Sequence, residues 1–309
     1  MQQDPPLDRA REQVEHALVT ESGRPVVKTF FDEATFTASH VAHDPATGTA
    51  AIIDSVMDFD QASGRTSWKN ADRILDYVRA ERLQVQWLLE THAHADHLSA
   101  APHLQQQLGG QIAIGEQIRA VQQRFATIFN EHEAFSPDGS QFDRLFADGD
   151  SFAVGTIEAT VLHVPGHTPA DVAYVIGDAA FVGDTMFMPD YGSARCDFPG
   201  GCARQLYGSI RRLTKLPDAT RVFLCHDYKA PTRDCFAWET TIGEERANNM
   251  HVRDGVDEES FVQLRTTRDA TLTVPKLLLP AIQVNMRAGR LPPAEENGAS
   301  YLKIPLNMF

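Results

Sequence analysis

Four side chains that can bind a metal ion lie within a stretch of six residues. They are His92, His94, Asp96 and His97. Imidazole nitrogens and carboxylate oxygens are the usual protein ligands of zinc and of non-haem iron. A lone histidine is more often an ordinary hydrogen-bonded residue, but four ligands at this spacing are rare by chance. The segment therefore predicts a metal centre.

The setting of the candidate ligands along the chain is also informative. The segment 91–97 directly follows an apolar run at 85–89, and three further candidates follow other apolar runs: His167, Asp184 and His226. Such short apolar runs are typical of buried strands. Open sheets place their sites at the carboxyl ends of strands, so we expect these side chains to converge on one point.

The elements that must position these residues alternate between strands and helices. Apolar residues recur at helical spacing in 68–81, 100–108, 116–130 and 203–213, which predicts amphipathic helices. Strands followed by a helix occur in each half of the chain, so the order from half to half is strands, helix, strands, helix. This order predicts an α+β fold built as a duplicated αβ/βα sandwich.

The chain is predicted to have a short polar arm and one large domain. Residues 1–22 are polar and are predicted to form the arm, in which a short helix remains open, and the domain covers 23–309. A length of 309 residues suits a single large domain. From about residue 240 onward the domain is predicted to be helical and then irregular, because this part is rich in proline.

The composition argues against several classes of function. The chain has 28 Lys and Arg residues against 42 Asp and Glu residues, a formal net charge of −14. So acidic a chain repels phosphate backbones and anionic membranes, and general nucleic-acid binding is not expected. Its apolar runs are too short to span a bilayer, and residues 1–21 lack the apolar centre of a secretory signal. The four cysteines form no CxxC pair, which favours a reducing cytoplasm.

The candidate ligands resemble those of the metallo-β-lactamase superfamily. The matching residues are His92, His94, Asp96, His97, His167, Asp184 and His226. This resemblance implies a four-layer αβ/βα sandwich with the metal between two β-sheets. The segments 195–198 (RCDF) and 285–289 (NMRAG) are also similar to segments of the persulfide dioxygenase (sulfur dioxygenase) branch of that superfamily.

Two metal chemistries remain open at this point. Two zinc ions would generate a hydroxide for hydrolysis. Their ligands would be His92, His94 and His167 for one ion and Asp96, His97 and His226 for the other, with Asp184 bridging. The resemblance to the dioxygenases implies instead one Fe(II) per chain, held by His92, His167 and Asp184. The remaining four, His94, Asp96, His97 and His226, would then orient the ligands and bound water. All seven positions are filled in both interpretations, so the residues alone do not separate them.

The dioxygenase resemblance implies a reaction, a substrate and further site residues. Both atoms of O₂ would reach the sulfane sulfur of glutathione persulfide, giving sulfite and glutathione, in sulfide detoxification. Asp96, His97 and Tyr228 are expected to act in catalysis. Arg195, Tyr228 and Arg287 are expected to bind the substrate, because glutathione carries two carboxylates. The sequence leaves open whether the chain pairs with a second copy of itself as a homodimer.

Two other functions are kept as alternatives. A glyoxalase II-like hydroxyacylglutathione hydrolase would share the fold, the ligands and a glutathione-based substrate, and would use a two-metal site. A metal-stabilised binding or sensing module would catalyse nothing. Arg195 also has an alternative interpretation, as the structural partner of Asp197. The chain departs from the dioxygenase pattern by an insertion around 60–69 and a longer segment at 116–147, so the substrate preference stays open.

Overall fold

The computed structural model describes residues 3–20, 23–131 and 135–308. The helices are α1 (Pro5–Thr20), α2 (Lys69–Ala80), α3 (Ala101–Leu108), α4 (Ile118–Ile128), α5 (Ala203–Leu213), α6 (Ile242–Asn248), α7 (Glu258–Asp269) and α8 (Leu278–Asn285). The strands are β1 (Val26–Asp32), β2 (Thr37–His43), β3 (Thr49–Ile53), β4 (Val56–Asp60), β5 (Arg65–Ser67), β6 (Gln84–Leu89), β7 (Leu98–Ser99), β8 (Gln111–Gly115), β9 (Arg144–Phe146), β10 (Ser151–Val154), β11 (Ile157–His163), β12 (Val172–Ile176), β13 (Ala179–Phe181), β14 (Arg221–Phe223) and β15 (Glu239–Thr241). Within the described ranges, no helix combines the length and the apolar character needed to cross a membrane.

Most of the strands form two six-stranded sheets. The first sheet has the order β1-β2-β3-β6-β8-β9, and the second has the order β10-β11-β12-β13-β14-β15. Strands β3, β6, β8 and β9 run parallel in the first sheet, as β13 and β14 do in the second. A third, three-stranded sheet has the order β5-β4-β7. Its β4–β5 hairpin contains the beginning of the insertion around 60–69.

Side chains on the two faces of each sheet enter different hydrophobic clusters, as the alternation of a strand requires. In β3, Ile52 packs in the cluster that contains α2 and α3, whereas Ile53 belongs to the cluster between the two sheets. In β12, Val175 packs in the cluster that contains α1 and α5, whereas Tyr174 belongs to the cluster between the sheets. The layers are therefore helix, sheet, sheet, helix, which confirms the predicted α+β four-layer αβ/βα sandwich.

The N-terminal segment, for which the sequence predicts a polar arm and leaves a short helix open, is helical and packs on the domain. It forms α1, in which Leu7, Ala10, Val14 and Ala17 are buried. These residues are spaced three or four apart, so they lie on one face of the helix, and this face packs on the second sheet. Polar residues separate these apolar residues in the sequence, so the apolar face of the helix does not stand out as an apolar run. The bounds of a single domain over 23–309 stay a prediction, but α1 packs on the same core.

The four predicted amphipathic helices correspond to α2, α3, α4 and α5, with ends that differ by at most a few residues. The part after residue 240 contains α6, α7 and α8 between irregular segments. Helix α8 is buried along almost its whole length. It therefore has no solvent-exposed polar face. Its sequence lacks the regular alternation of apolar and polar residues that reveals a surface helix.

Truncation of Leu7 tests the packing of α1. Leu7 is 3% exposed, so Leu7→Ala should lower the free energy of unfolding by about 2–4 kcal/mol, through lost burial and the cavity that remains. Val19→Ala on the same helix is the control, because Val19 is 83% exposed and such surface changes stay within about 0.5 kcal/mol. Urea unfolding followed by circular dichroism measures both. Equal effects of the two changes would contradict the packing of α1 on the second sheet.

Candidate metal centre

Loops that follow four strands bring the candidate ligands to one edge of the two sheets. Strand β6 leads into the segment 91–97, β11 into the loop of His167, β13 into that of Asp184 and β14 into that of His226. These side chains are buried, apart from Asp96, whose side chain is 28% exposed. The parallel pair β13 and β14 places its two ligands side by side at the same strand ends.

In two of the histidines, a hydrogen bond to a backbone carbonyl identifies the protonated nitrogen. Nδ1 of His167 lies 2.8 Å from the carbonyl oxygen of Arg195, and Nδ1 of His226 lies 3.1 Å from that of Phe36. A carbonyl oxygen only accepts hydrogen bonds, so Nδ1 carries the proton in each neutral ring. Nε2 then keeps its lone pair and can bind a metal ion.

A carboxylate that the sequence reasoning did not select organises the first two histidines. Asp54, directly after β3, accepts hydrogen bonds from the backbone N–H and the hydroxyl of Thr91, at 2.8 and 2.9 Å. Because the Thr91 proton is used in this way, its oxygen accepts from Nδ1 of His92 at 3.0 Å. Asp54 also accepts from Nε2 of His94 at 3.0 Å. Its strand-end position is the same signal that identifies the other ligands.

Buried ligand atoms without a hydrogen-bond partner are concentrated here. They are Nε2 of His92, Nδ1 of His94, Oδ2 of Asp96, Nε2 of His97, Oδ1 of Asp184 and Nε2 of His226. An unsatisfied buried polar group destabilises a fold by about 1–3 kcal/mol, and native proteins contain few of them. A metal ion would accept these lone pairs, so the residues fit a metal centre.

The ligand atoms fall into two neighbouring groups. Those of His92, His167 and Asp184 lie within 4.8 Å of one another, and so do those of His94, Asp96, His97 and His226. Asp184 faces both groups, because its Oδ2 lies 3.5 Å from Nε2 of His167 and its Oδ1 lies 3.4 Å from Nε2 of His226. Two ligands that each bind one ion at about 2.1 Å lie about 3.0–3.4 Å apart at octahedral or tetrahedral angles. The spacing therefore suits one ion in the first group, and it leaves room for a second ion beside it.

His94 lies between two buried carboxylates. Its Nε2 is 3.0 Å from Oδ1 of Asp54 and 3.3 Å from Oε2 of Glu90. Burial lowers the pKa of His94, but these carboxylates outweigh burial and raise the pKa well above its usual value. Burial and positively charged neighbours instead hold the pKa of His92 well below its usual value, so its ring is neutral and able to bind a metal. The ring centre of His94 lies 4.1 Å from that of His92 and 4.1 Å from that of His97, so its place with His92 and His167 in the two-zinc interpretation stays a prediction.

A cavity of about 890 Å³ opens beside the ligands. Asp96, His167 and Asp184 lie on its wall, which also contains cations and aromatic rings. The cations include Arg195, Arg268 and Lys276, and the rings include Phe36, Phe187, Tyr191 and Tyr228. Positive side chains in a concave site of an acidic protein favour an anionic ligand. Residues 60–62 of the β4–β5 hairpin form part of the same wall.

The remaining residues with predicted roles lie in different settings. Tyr228 is on the cavity wall, and its ring centre lies 5.9 Å from that of His226. Arg195 is also on the wall, but its guanidinium donates to both carboxylate oxygens of Asp197, at 2.5 and 2.6 Å. The structure thus contains the alternative ion pair of Arg195, and its contact with substrate stays a prediction. His97, predicted to act in catalysis, is fully buried.

The structure does not support the predicted substrate contact of Arg287. This residue is 5% exposed, and its guanidinium forms an ion pair with Glu131 at 2.7 Å. It also lies 4.6 Å from the ring centre of Phe135. Arg287, Glu131 and Phe135 are not among the residues that line the cavity. Arg287 therefore fixes the C-terminal segment to the loop after α4.

Comparison with known proteins gives the family and two kinds of relative. The family model of the metallo-beta-lactamase superfamily matches residues 37–226. The chain is 53% identical to a "Probable metallo-hydrolase" of Burkholderia pseudomallei, over 91% of this chain and 99% of that protein. It is 48% identical to "Glyoxylase B2" of Dictyostelium discoideum, over 93% of this chain and 98% of that protein.

Similarity to persulfide dioxygenases is lower but extends over most of the chain. The chain is 28% identical to the human mitochondrial persulfide dioxygenase ETHE1, over 87% of this chain and 91% of that protein. The crystal structure of ETHE1 from Myxococcus xanthus is 29% identical and superposes with a TM-score of 0.68. That match covers 86% of this chain and 100% of the other.

The carboxylate that faces both ligand groups is tested by Asp184→Asn. The change keeps the shape of the side chain and removes its charge. Loss of a ligand's supporting partner alone weakens metal affinity by about 10–100-fold, so loss of this carboxylate should remove most of the bound metal. Asp197→Asn is the control, since Asp197 pairs with Arg195 outside both groups. Elemental analysis of the purified proteins measures both, and full metal content in Asp184→Asn would contradict the assignment.

Proposed function

Because the chain belongs to the metallo-beta-lactamase superfamily, we propose that it is a metal-dependent enzyme that oxidises glutathione persulfide with O₂. The observation that carries this proposal is the group formed by His92, His167 and Asp184. Two imidazoles and one carboxylate are the ligand set of many non-haem Fe(II) oxygenases. His94 has Nε2 between Asp54 and Glu90, and its unpartnered Nδ1 lies in the group of Asp96, His97 and His226.

The reaction is balanced by one molecule of water. Glutathione persulfide, O₂ and water give glutathione, sulfite and two protons, and four electrons pass from the terminal sulfur to O₂. An Fe(II) ion held by His92, His167 and Asp184 would offer open positions for O₂ and for the persulfide sulfur. The protein holds the two reactants side by side and limits competing reactions with water.

The cavity wall provides the groups that such a substrate needs. Arg195, Arg268 and Lys276 give it positive charge, which attracts the two carboxylates of glutathione. Desolvation by the surrounding protein, with nearby Asp96 and Asp184, raises the pKa of Tyr228 well above its usual value. Its hydroxyl therefore stays protonated at neutral pH and is able to donate a hydrogen bond to the bound sulfur.

A second candidate is hydrolysis of a glutathione thioester at a two-metal site of the glyoxalase II kind. The observation that favours it is the pair of oxygens of Asp184, one facing each ligand group. A carboxylate with one oxygen toward each group would suit a site with two neighbouring metal ions. The names of the more similar relatives, a metallo-hydrolase and a glyoxylase, favour this candidate over the first.

Metal content and oxygen consumption separate the two candidates. The protein should be purified without oxygen and analysed for iron and zinc. We expect one iron per chain, and O₂ uptake in an electrode on addition of glutathione persulfide. Two zinc ions per chain, with turnover of lactoylglutathione in the absence of O₂, would instead establish the hydrolase. Protein that binds metal and converts neither substrate would contradict both and favour the binding module.

Removal of the Arg195 side chain tests substrate binding at the cavity wall. We expect Arg195→Ala to raise KM about tenfold and to change kcat much less, because the guanidinium acts on binding. The backbone carbonyl that accepts from His167 is kept in this variant. Arg204→Ala is the control, because Arg204 is exposed and pairs with Glu258 and Glu259. An unchanged KM would assign Arg195 to its ion pair with Asp197 alone.

A further inference from the structure

The loop that carries four of the candidate ligands has no regular secondary structure between β6 and β7. Its buried backbone carbonyls therefore need partners from elsewhere in the fold. Two of them, those of His94 and His97, accept hydrogen bonds from the same atom. Nδ2 of Asn285 donates to the carbonyl oxygen of His94 at 2.9 Å and to that of His97 at 2.8 Å.

The oxygen of the Asn285 side-chain amide accepts a hydrogen bond from the residues directly after the same loop. Its Oδ1 accepts from the backbone N–H of Ser99 at 2.9 Å, in β7. Two N–H groups and one carbonyl oxygen on a short planar side chain are a combination that only asparagine offers at this length. Asn285 is 5% exposed, so water does not readily replace these bonds.

The C-terminal part of the chain brings Asn285 to this position. Helix α8, which ends at Asn285, is apolar and buried, and it packs against β7. Gly289 follows with φ +81°, and a Cβ atom there would lie 2.9 Å from the carbonyl oxygen of Ser99 and 2.6 Å from Pro102. Only glycine allows this close approach without a shift of the backbone. The α8 segment therefore contacts the chain directly after the ligand loop.

We propose that Asn285 is a positioning residue of the metal centre. By holding the carbonyls of His94 and His97 at one point, it fixes the distance between these residues. The two residues between them, Ala95 and Asp96, then project to the cavity wall, where both are found. The unpartnered atoms of His94, Asp96 and His97 lie together in one group because the side chain of Asn285, at the end of α8, sets the shape of their loop.

This inference needs the metal centre but neither of the two reactions proposed above. If the wild-type protein binds no metal, the proposed function fails before Asn285 is tested. If the wild type binds metal and the variants bind it equally well, only the role of Asn285 fails. The two failures are therefore distinguishable.

The test compares two matched substitutions on the same helix. Asn285→Asp keeps the size and the acceptor but removes both donors to the ligand loop. Gln283→Glu makes the same chemical change two residues earlier, at a residue that is 1% exposed. Gln283 has the same set of hydrogen bonds, but its partners are carbonyls of Leu279 and Lys303 and the N–H of Lys303. Neither of these residues touches a candidate ligand.

The readouts are the affinity of the metal-free protein for Co(II) and the visible absorption bands of the Co(II) form. We expect Asn285→Asp to weaken Co(II) binding by about 10–100-fold and to shift the absorption bands, since the geometry of the ligands changes. We expect Gln283→Glu to lower the melting temperature to a similar extent, with Co(II) affinity and spectrum as in the wild type.

Two outcomes would overturn the proposal. The first is wild-type affinity and an unchanged spectrum in Asn285→Asp. The second is an equal loss of affinity in Gln283→Glu, which would show a general effect of weakening α8. If Asn285→Asp does not fold, Asn285→Ser replaces it, because a short hydroxyl adds no buried charge and cannot reach both carbonyls. The same loss of Co(II) affinity is expected there, and wild-type affinity would count against the proposal.

Discussion

The arrangement of the metal centre depends on the buried carboxylate of Asp54. Its backbone has φ 53°, a left-handed conformation that non-glycine residues rarely adopt. Such strain persists where the surroundings hold it, which is common at functional sites. Here the N–H of Asp54 donates to Leu89 of the neighbouring strand, and its carboxylate accepts from Thr91 and His94. The orientation of His92 and His94 therefore depends on Asp54, at the end of β3.

A charge buried in this way is stable only while its partners remain. Burial raises the pKa of Asp54, but His94 and the hydrogen bonds of Thr91 outweigh it and hold the pKa below its usual value. Removal of one partner from a buried pair leaves an uncompensated charge, which destabilises a protein by about 3–5 kcal/mol. The ligand atoms without hydrogen bonds add to this constraint. We therefore expect metal binding and folding to be coupled, because an ion would satisfy groups that the fold alone leaves unpaired.

The sequence predicts the parts of the site whose signal is local. A ligand after a strand is visible as a polar residue after an apolar run, and this pattern alone identifies His92, Asp184 and the others. Glu90 also follows the apolar run 85–89 directly, but its role depends on its burial beside His94, which the sequence does not show. The contact of Arg287 with Glu131 joins residues far apart in the chain. A motif assigns such a residue to a branch of a family, but it does not show which way the side chain points.

The contact of Asn285 with the ligand loop also determines the order of events during synthesis. Asn285 follows His94 by 191 positions and His97 by 188 positions along the chain. At translation rates of about 5–20 residues per second, the loop leaves the ribosome about 10–40 s before the amide that holds it. During that interval the ligand loop lacks the side chain that we propose to set its shape. On the proposed role of Asn285, ordered metal loading therefore depends on a segment that is synthesised well after the ligands themselves.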